Sequence, residues 1–149
     1  DHAALLDTSG GSSSSTGIGL YILAATRTYK IFIVKGSAGN YVSNAVTTAA
    51  YPNNTNFHRL VITYDQTLAS ANINISLDGA FVGSSNKGVA AVNNAPSTYA
   101  PIIGRFAGPS GAFDGVIAEY LIYNKIFSVA EVAQNYLSAK RRMPWANLP

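Results

Sequence analysis

The chain has 149 residues, enough for one domain with its own core, and only 11% are charged against a usual share of about a quarter. It holds no cysteine, which excludes disulfides and thiolate metal sites, and no apolar run approaches the ~20 residues of a membrane-spanning helix. The net charge of +3 is scattered except near the C-terminus, not gathered into a basic stripe, so neither nucleic acid nor membrane insertion is expected.

Gly, Ser, Thr, Asn and Tyr take the place of charge, the surface chemistry of all-β extracellular or virion proteins. The chain opens at Asp1 without a signal peptide, as a processed or excised piece does. Residues 1–17 carry one apolar patch at 3–6, then a Gly/Ser run that reads as a flexible segment or linker. From Ile18, GIGLYILAAT and TYKIFIVKG read as a hairpin turning around Arg27, with Tyr29, Ile31 and Ile33 on one face and Lys30, Phe32 and Val34 on the other. A weaker strand run covers 40–49, and the turn-forming YPNNTN loop follows at 51–56.

In FHRLVITYD, alternation puts His58, Leu60, Ile62 and Tyr64 on one face and Phe57, Arg59, Val61 and Thr63 on the other. NINISLDGAFVGSS is a hairpin closed by Asp78 and Gly79. Its Asn72, Asn74 and Ser76 alternate with Ile73, Ile75 and Leu77 and are expected to meet water or a ligand. Residues 87–99 are loop-like, with a short strand over 89–92 left open, and APIIGRF supplies a further strand.

The closing stretch, 113–137, reads as a long strand running into a capped helix. Ile117 and Ile122 are an odd number of positions apart, so either both strand faces are covered or a bulge near 118–119 restores the phase. Val129, Val132, Ala133, Tyr136 and Leu137 then form an apolar helical stripe over 128–139. Ser128 and Glu131 have capping-box spacing, and Phe127 is placed to staple onto Val132. Lys140, Arg141 and Arg142 suit the negative end of the helix dipole, and Pro144 stops it. The whole is an all-β fold, a two-sheet antiparallel β-sandwich over 18–140 with one C-terminal α-helix and a tail at 141–149.

Four motifs in order resemble the laminin-G-like jelly rolls of the concanavalin A-like lectin/glucanase superfamily. They are Phe57 and His58 with Thr63, Tyr64 and Asp65; Asp78 and Gly79; Ile103, Gly104 and Arg105; and Phe113, Gly115, Ile117, Tyr123, Asn124, Ser128 and Glu131. The resemblance spans 18–137 and implies the jelly-roll fold. Its members bind glycans or proteins, serve as spacers in adhesins and phage fibres, or cleave glycosides. Such domains carry extra strands before the counterpart of Ile18, where this chain has seventeen residues rich in Gly and Ser. An incomplete sandwich is therefore expected, its open edge covered by residues 1–7, by the Trp145 tail, by a neighbouring copy, or by preceding residues of a longer parent.

A glycosidase needs two carboxyls about 5–9 Å apart. This chain has two glutamates, of which Glu131 is explained as a cap, and the odd spacing of Asp114 and Glu119 parts them. His58 reads as a satisfied core histidine, and no G-x-S-x-G elbow exists, so the chain is not expected to be an enzyme. No cofactor is expected. Calcium, which the resemblance brings in through relatives that hold it at a sheet rim, would find Asp114 the least committed carboxylate.

Glycan recognition calls for planar aromatics beside amides on a rigid sheet. One loop offers Tyr51, Asn53 and Asn54 and another Asn93, Asn94 and Tyr99, although both also satisfy ordinary turn chemistry. Trp145, the sole tryptophan, sits in a tail that either folds back or docks on a neighbour; with Leu5 and Leu6 it is the expected assembly contact. The chain thus reads as a non-catalytic carbohydrate-recognition or adhesion module of an extracellular, cell-surface or virion protein, with a glycan or surface polysaccharide as partner. The alternative is a structural assembly module (capsid decoration, fibre or filament subunit), a homo-oligomer joined by subunit contacts.

Overall fold

Short strands and tight turns build two antiparallel sheets in the computed structural model, which describes residues 2–8, 16–23, 26–35, 41–50, 55–65, 67, 68, 70, 72–85, 99–105 and 111–149. The strands are β1 (His2–Asp7), β2 (Thr16–Leu23), β3 (Thr28–Lys35), β4 (Tyr41–Ala50), β5 (Leu60–Tyr64), β6 (Ile73–Leu77), β7 (Ala80–Ser85) and β8 (Ile102–Ile103). One sheet has the order β4-β3-β2-β1-β8 and the other β5-β6-β7. A helix, α1 (Val129–Arg142), and a 3-10 turn (Pro144–Ala146) close the described chain.

The core lies between the sheets. Ile31, Ile73 and Ile75 are buried, with Leu20, Leu60, Ile62, Tyr64 and Val82 packed around them. Each fully buried side chain of this kind contributes about 1.5–3 kcal/mol. The face containing Leu60, Ile62 and Tyr64 is the one alternation assigns inward. The other side of the β6 hairpin is less open than its polarity suggests. Asn72 and Ser76 are buried, and the Asn72 amide donates to the Asp65 and Leu68 carbonyls.

Two expectations are corrected. Residues 2–7 are not part of a flexible segment: they form β1, paired with β2 on one side and β8 on the other. Ala4 and Leu6 are both buried there, and a register shift between them pairs Ala4 with Tyr21 and Leu6 with Leu20. Of the two leucines expected at an assembly contact, Leu6 is buried in this strand and Leu5 is half-buried. The second correction concerns 113–123, which forms no ladder. Gly111 accepts from Ala4 N–H (2.8 Å) and Phe113 N–H donates to the Gly104 carbonyl (2.7 Å), after which pairing stops. Ile117 is half-buried and Ile122 is exposed, and with no strand over these residues the expected choice between two covered faces and a bulge does not arise.

Helix α1 starts at the expected place. The Ser128 hydroxyl accepts from Glu131 N–H, and the Glu131 carboxylate accepts from Ser128 N–H at 2.8 Å, a complete capping box. Phe127 stacks edge-on with Tyr123, ring centroids 4.8 Å apart. The buried stripe is Val132, Tyr136 and Ala139, while Val129 and Leu137 face solvent. The Asp78–Gly79 turn sets this rotation. Asp78 (φ 52°) and Gly79 (φ 82°) both take left-handed backbone, as a two-residue hairpin turn requires, and Gly79 lies directly under the Tyr136 ring.

Candidate functional site at the helix end

Beyond α1 the chain turns back on its own domain. Met143 N–H donates to Ala139 O (2.9 Å), Pro144 opens the 3-10 turn, and Asn147 adopts the left-handed conformation that asparagine tolerates. Ala146 and Leu148 plug into Tyr136 and Ala139, with Phe57 and Met143 alongside. Lys140 Nζ donates to Pro149 O (2.7 Å), a further tie on the tail.

Just before the two plugs stands Trp145. Its ring meets Phe57 edge-on at 5.6 Å between centroids and 83° between planes, yet 63% of the residue is exposed. Asn147 Nδ2 donates to Asn56 Oδ1 at 3.1 Å, joining the tail to the foot of the 51–56 loop. The result is a rigid aromatic plate with a braced edge and two side-chain amides beside it. Leaving so much of a large apolar side chain in water forgoes part of a burial worth about 1.5–3 kcal/mol, while the smaller Ala146 and Leu148 are the ones taken inward.

A charged joint supports this corner from behind. Arg59 donates from Nη1 to Glu119 Oε2 (2.6 Å) and from Nε to Asn135 Oδ1 (2.8 Å), and Arg142, the last residue of α1, donates to Glu119 Oε1 (3.0 Å). The hydrogen bond from Arg59 holds the Glu119 carboxyl below the ordinary carboxylate range, with Arg142 acting in the same direction. His58 Nδ1 lies 2.6 Å from Asp78 Oδ2, and Asp78 Oδ1 accepts from Arg59 N–H (2.8 Å). Glu119, Glu131, His58 and Asp78 are thus all engaged in structural contacts. Among the described residues no group of three or more His, Asp or Glu side chains converges, and Asp114 is exposed.

This fold, with its Asp-Gly hairpin and capped closing helix, matches a family model described as the concanavalin A-like lectin/glucanases superfamily over residues 1–133. The chain belongs to that superfamily. The matched span reaches back through β1, farther than the motifs themselves extend. Among solved structures, this superfamily member is similar to residues 221–444 of an S-layer domain-containing protein from Clostridium thermocellum ATCC 27405, with 14% identity and a TM-score of 0.45. The similarity covers 91% of this chain and 63% of that one. No curated protein matches.

Of the residues singled out from sequence, Tyr51, Asn53, Asn54, Asn93 and Asn94 lie outside the described residues, as does 89–92. Tyr99 is described and exposed. Trp145 was weighed as an assembly contact; the structure joins it to Phe57, and its neighbour Asn147 to Asn56. Of these partners Asn56 belongs to the 51–56 loop and Phe57 to the family motif, while Asn147 carries no sequence signal of function. The nearest hint is the P-W-A-N run after a capped helix, a turn that has to point its tryptophan somewhere.

Proposed function

We propose that the chain is a non-catalytic carbohydrate-recognition and adhesion module of an extracellular or surface protein, and that Trp145 is its binding platform. The observation that carries this reading is the exposed Trp145 ring, braced edge-on by Phe57 and followed by buried Ala146 and Leu148, with Asn147 in the same turn bonded to Asn56. The C–H face of a pyranose stacks on such a ring, and amides supply the donors and acceptors that sugar hydroxyls need. Membership of a lectin-containing superfamily agrees with it. The structural engagement of both glutamates supports the non-catalytic part.

Because Trp145 is the sole tryptophan, its fluorescence reports directly on the site. A glycan array should yield at least one binder, that binder should shift the emission, and Trp145→Ala should weaken binding about tenfold or more, the equivalent of ~1.4 kcal/mol. Tyr99→Ala is the comparison variant at the other candidate loop. Binding that leaves the emission unmoved and survives Trp145→Ala would overturn the assignment.

A further inference from the structure

Charge is spread unevenly along this chain. Residues 1–131 hold seven Lys or Arg and seven Asp or Glu, so the whole excess of +3 lies in 132–149, as Lys140, Arg141 and Arg142. All three are exposed, in the last turn of the helix that leads to Trp145.

Local structure accounts for part of this run. The C-terminal end of a helix carries roughly half a negative charge, which favours a cation there but does not balance three. The acids on and beside the helix are committed elsewhere. Glu119 is shared by Arg59 and Arg142, Asp78 is held by His58 and the Arg59 N–H, and Glu131 is paired with Lys125 at the helix start. Among the described residues no side-chain carboxylate forms an ion pair with Lys140 or Arg141.

Lys140 is also held in place. Its Nζ donates to Pro149 O at 2.7 Å and lies 5.7 Å from the centre of the Tyr136 ring, which clusters with the buried Ala146 and Leu148 of the tail. An ammonium has three donors, so two remain for a ligand. A cation thus stands against the same folded-back tail that carries the exposed indole. A uronate complements both features. Its pyranose offers a C–H face to the indole, and its carboxylate projects from the ring edge, where a lysine head on a flexible stem can receive it. Arg141 adds to the field that gathers an anionic chain.

We propose that the sugar taken at Trp145 is acidic: a uronate-type pyranose stacks on the indole while Lys140 receives its carboxylate and Arg141 helps to draw it in. This rests on the carbohydrate reading of Trp145 and goes further by naming the ligand class. Lys140 is then the specificity-determining residue, because it tells the acid from its neutral counterpart.

The test sets each uronate against its own methyl ester, which keeps the ring and removes the charge. Oligomers of galacturonate, glucuronate, mannuronate and guluronate are titrated in both forms against the unmodified chain and read by Trp145 emission. At least one acid should bind about fivefold more tightly than its ester, the upper end for one exposed ion pair. That preference should shrink as salt rises from about 20 to about 200 mM. Lys140→Gln should bring the acid down to the ester's affinity and leave ester binding where it was. Lys140→Arg should keep the preference, as should Arg105→Gln, which removes an exposed cation elsewhere. Should Lys140→Gln fail to fold, the ratio of acid to ester in the unmodified chain decides. Equal affinity for acid and ester, a preference that survives Lys140→Gln, or a variant that weakens acid and ester alike would each overturn the proposal. So would acid binding that leaves the Trp145 emission unmoved. If neutral glycans shift the emission and no uronate does, the acidic class falls and the carbohydrate reading stands; if no glycan of either kind shifts it, both fall.

Discussion

Gly79 is where the second sheet meets the helix that carries Trp145, and replacing it with alanine tests that joint. Two costs act there. Its φ of +82° is left-handed, which costs an L-residue about 1–2 kcal/mol. An added Cβ would also lie 3.0–3.2 Å from Tyr136 Cδ1, Cβ and Cγ. Tyr136 cannot retreat freely, because Ala139, Ala146 and Leu148 pack against it, and overpacking of this kind costs about 1–3 kcal/mol. Gly79→Ala should therefore destabilise by about 2–5 kcal/mol in urea unfolding. Gly104 provides the comparison. Its φ of +81° is nearly the same, but the nearest atom to an added Cβ is Ile117 Cδ1 at 4.0 Å, ordinary contact. Gly104→Ala should cost only the backbone share, about 1–2 kcal/mol. In a Tyr136→Ala background, which removes the ring but keeps Cβ at 3.1 Å, the Gly79→Ala penalty should fall part of the way to that value, a coupling of about 1–2 kcal/mol. Equal penalties at the two glycines, or no coupling to Tyr136, would refute the claim that α1 is seated by close approach to this turn.

The other expectations concern the helix start and the acidic joints. Ser128→Ala should cost about 1 kcal/mol in the same assay, since it removes the N-cap acceptor; a loss below a few tenths would mean that the capping box contributes nothing. Acid should weaken the structure in a defined window. The Lys125 ammonium and the Ser128 cap hold the Glu131 carboxyl down at about 2 from an ordinary 4.5, and Glu119 is held low by its arginines. Groups with depressed folded-state values contribute stability that is present above the unfolded value and lost as pH falls through the folded one. The melting temperature should thus fall between pH 4.5 and about 2, and fall less steeply in a Glu119→Gln, Glu131→Gln double variant, whose glutamine at the cap preserves the box geometry. Identical slopes for the two proteins would remove these carboxylates from the account.

What was legible in the sequence, and what was not, follows from the range of the interactions involved. The inward face of β5, the Asp78–Gly79 turn and the capping box at Ser128 are settled by neighbours within a few residues, and each is where the pattern puts it. β1 was missed because a run of six residues is too short for its period to stand out beside a Gly/Ser segment, and its register shift breaks the alternation further. Residues 113–123 have the composition of a strand, but a ladder belongs to a pair, and composition says nothing about whether the second member is there. On α1 the apolar residues form a stripe wider than the face that is buried. Contact with Gly79, far off in sequence, selects Val132, Tyr136 and Ala139 over Val129 and Leu137. The aromatic corner was out of reach for the same reason, since Asn56 and Asn147 stand 91 positions apart.

Charge is scarce in this protein, and where it is scarce its placement is informative. Both glutamates are placed at joints: Glu119 ties residues 113–123 to β5 through Arg59 and to the end of α1 through Arg142, and Glu131 fixes the start of the helix with Lys125 and Ser128. Asp78 does the same for the turn beneath the helix, through His58 and the Arg59 N–H. The exposed Trp145 indole is itself uncharged, and the exposed Lys140, Arg141 and Arg142 precede it in the chain. Under the proposed carbohydrate reading, recognition at the indole rests on ring stacking and short hydrogen bonds, which salt at physiological strength screens far less than surface charge pairs.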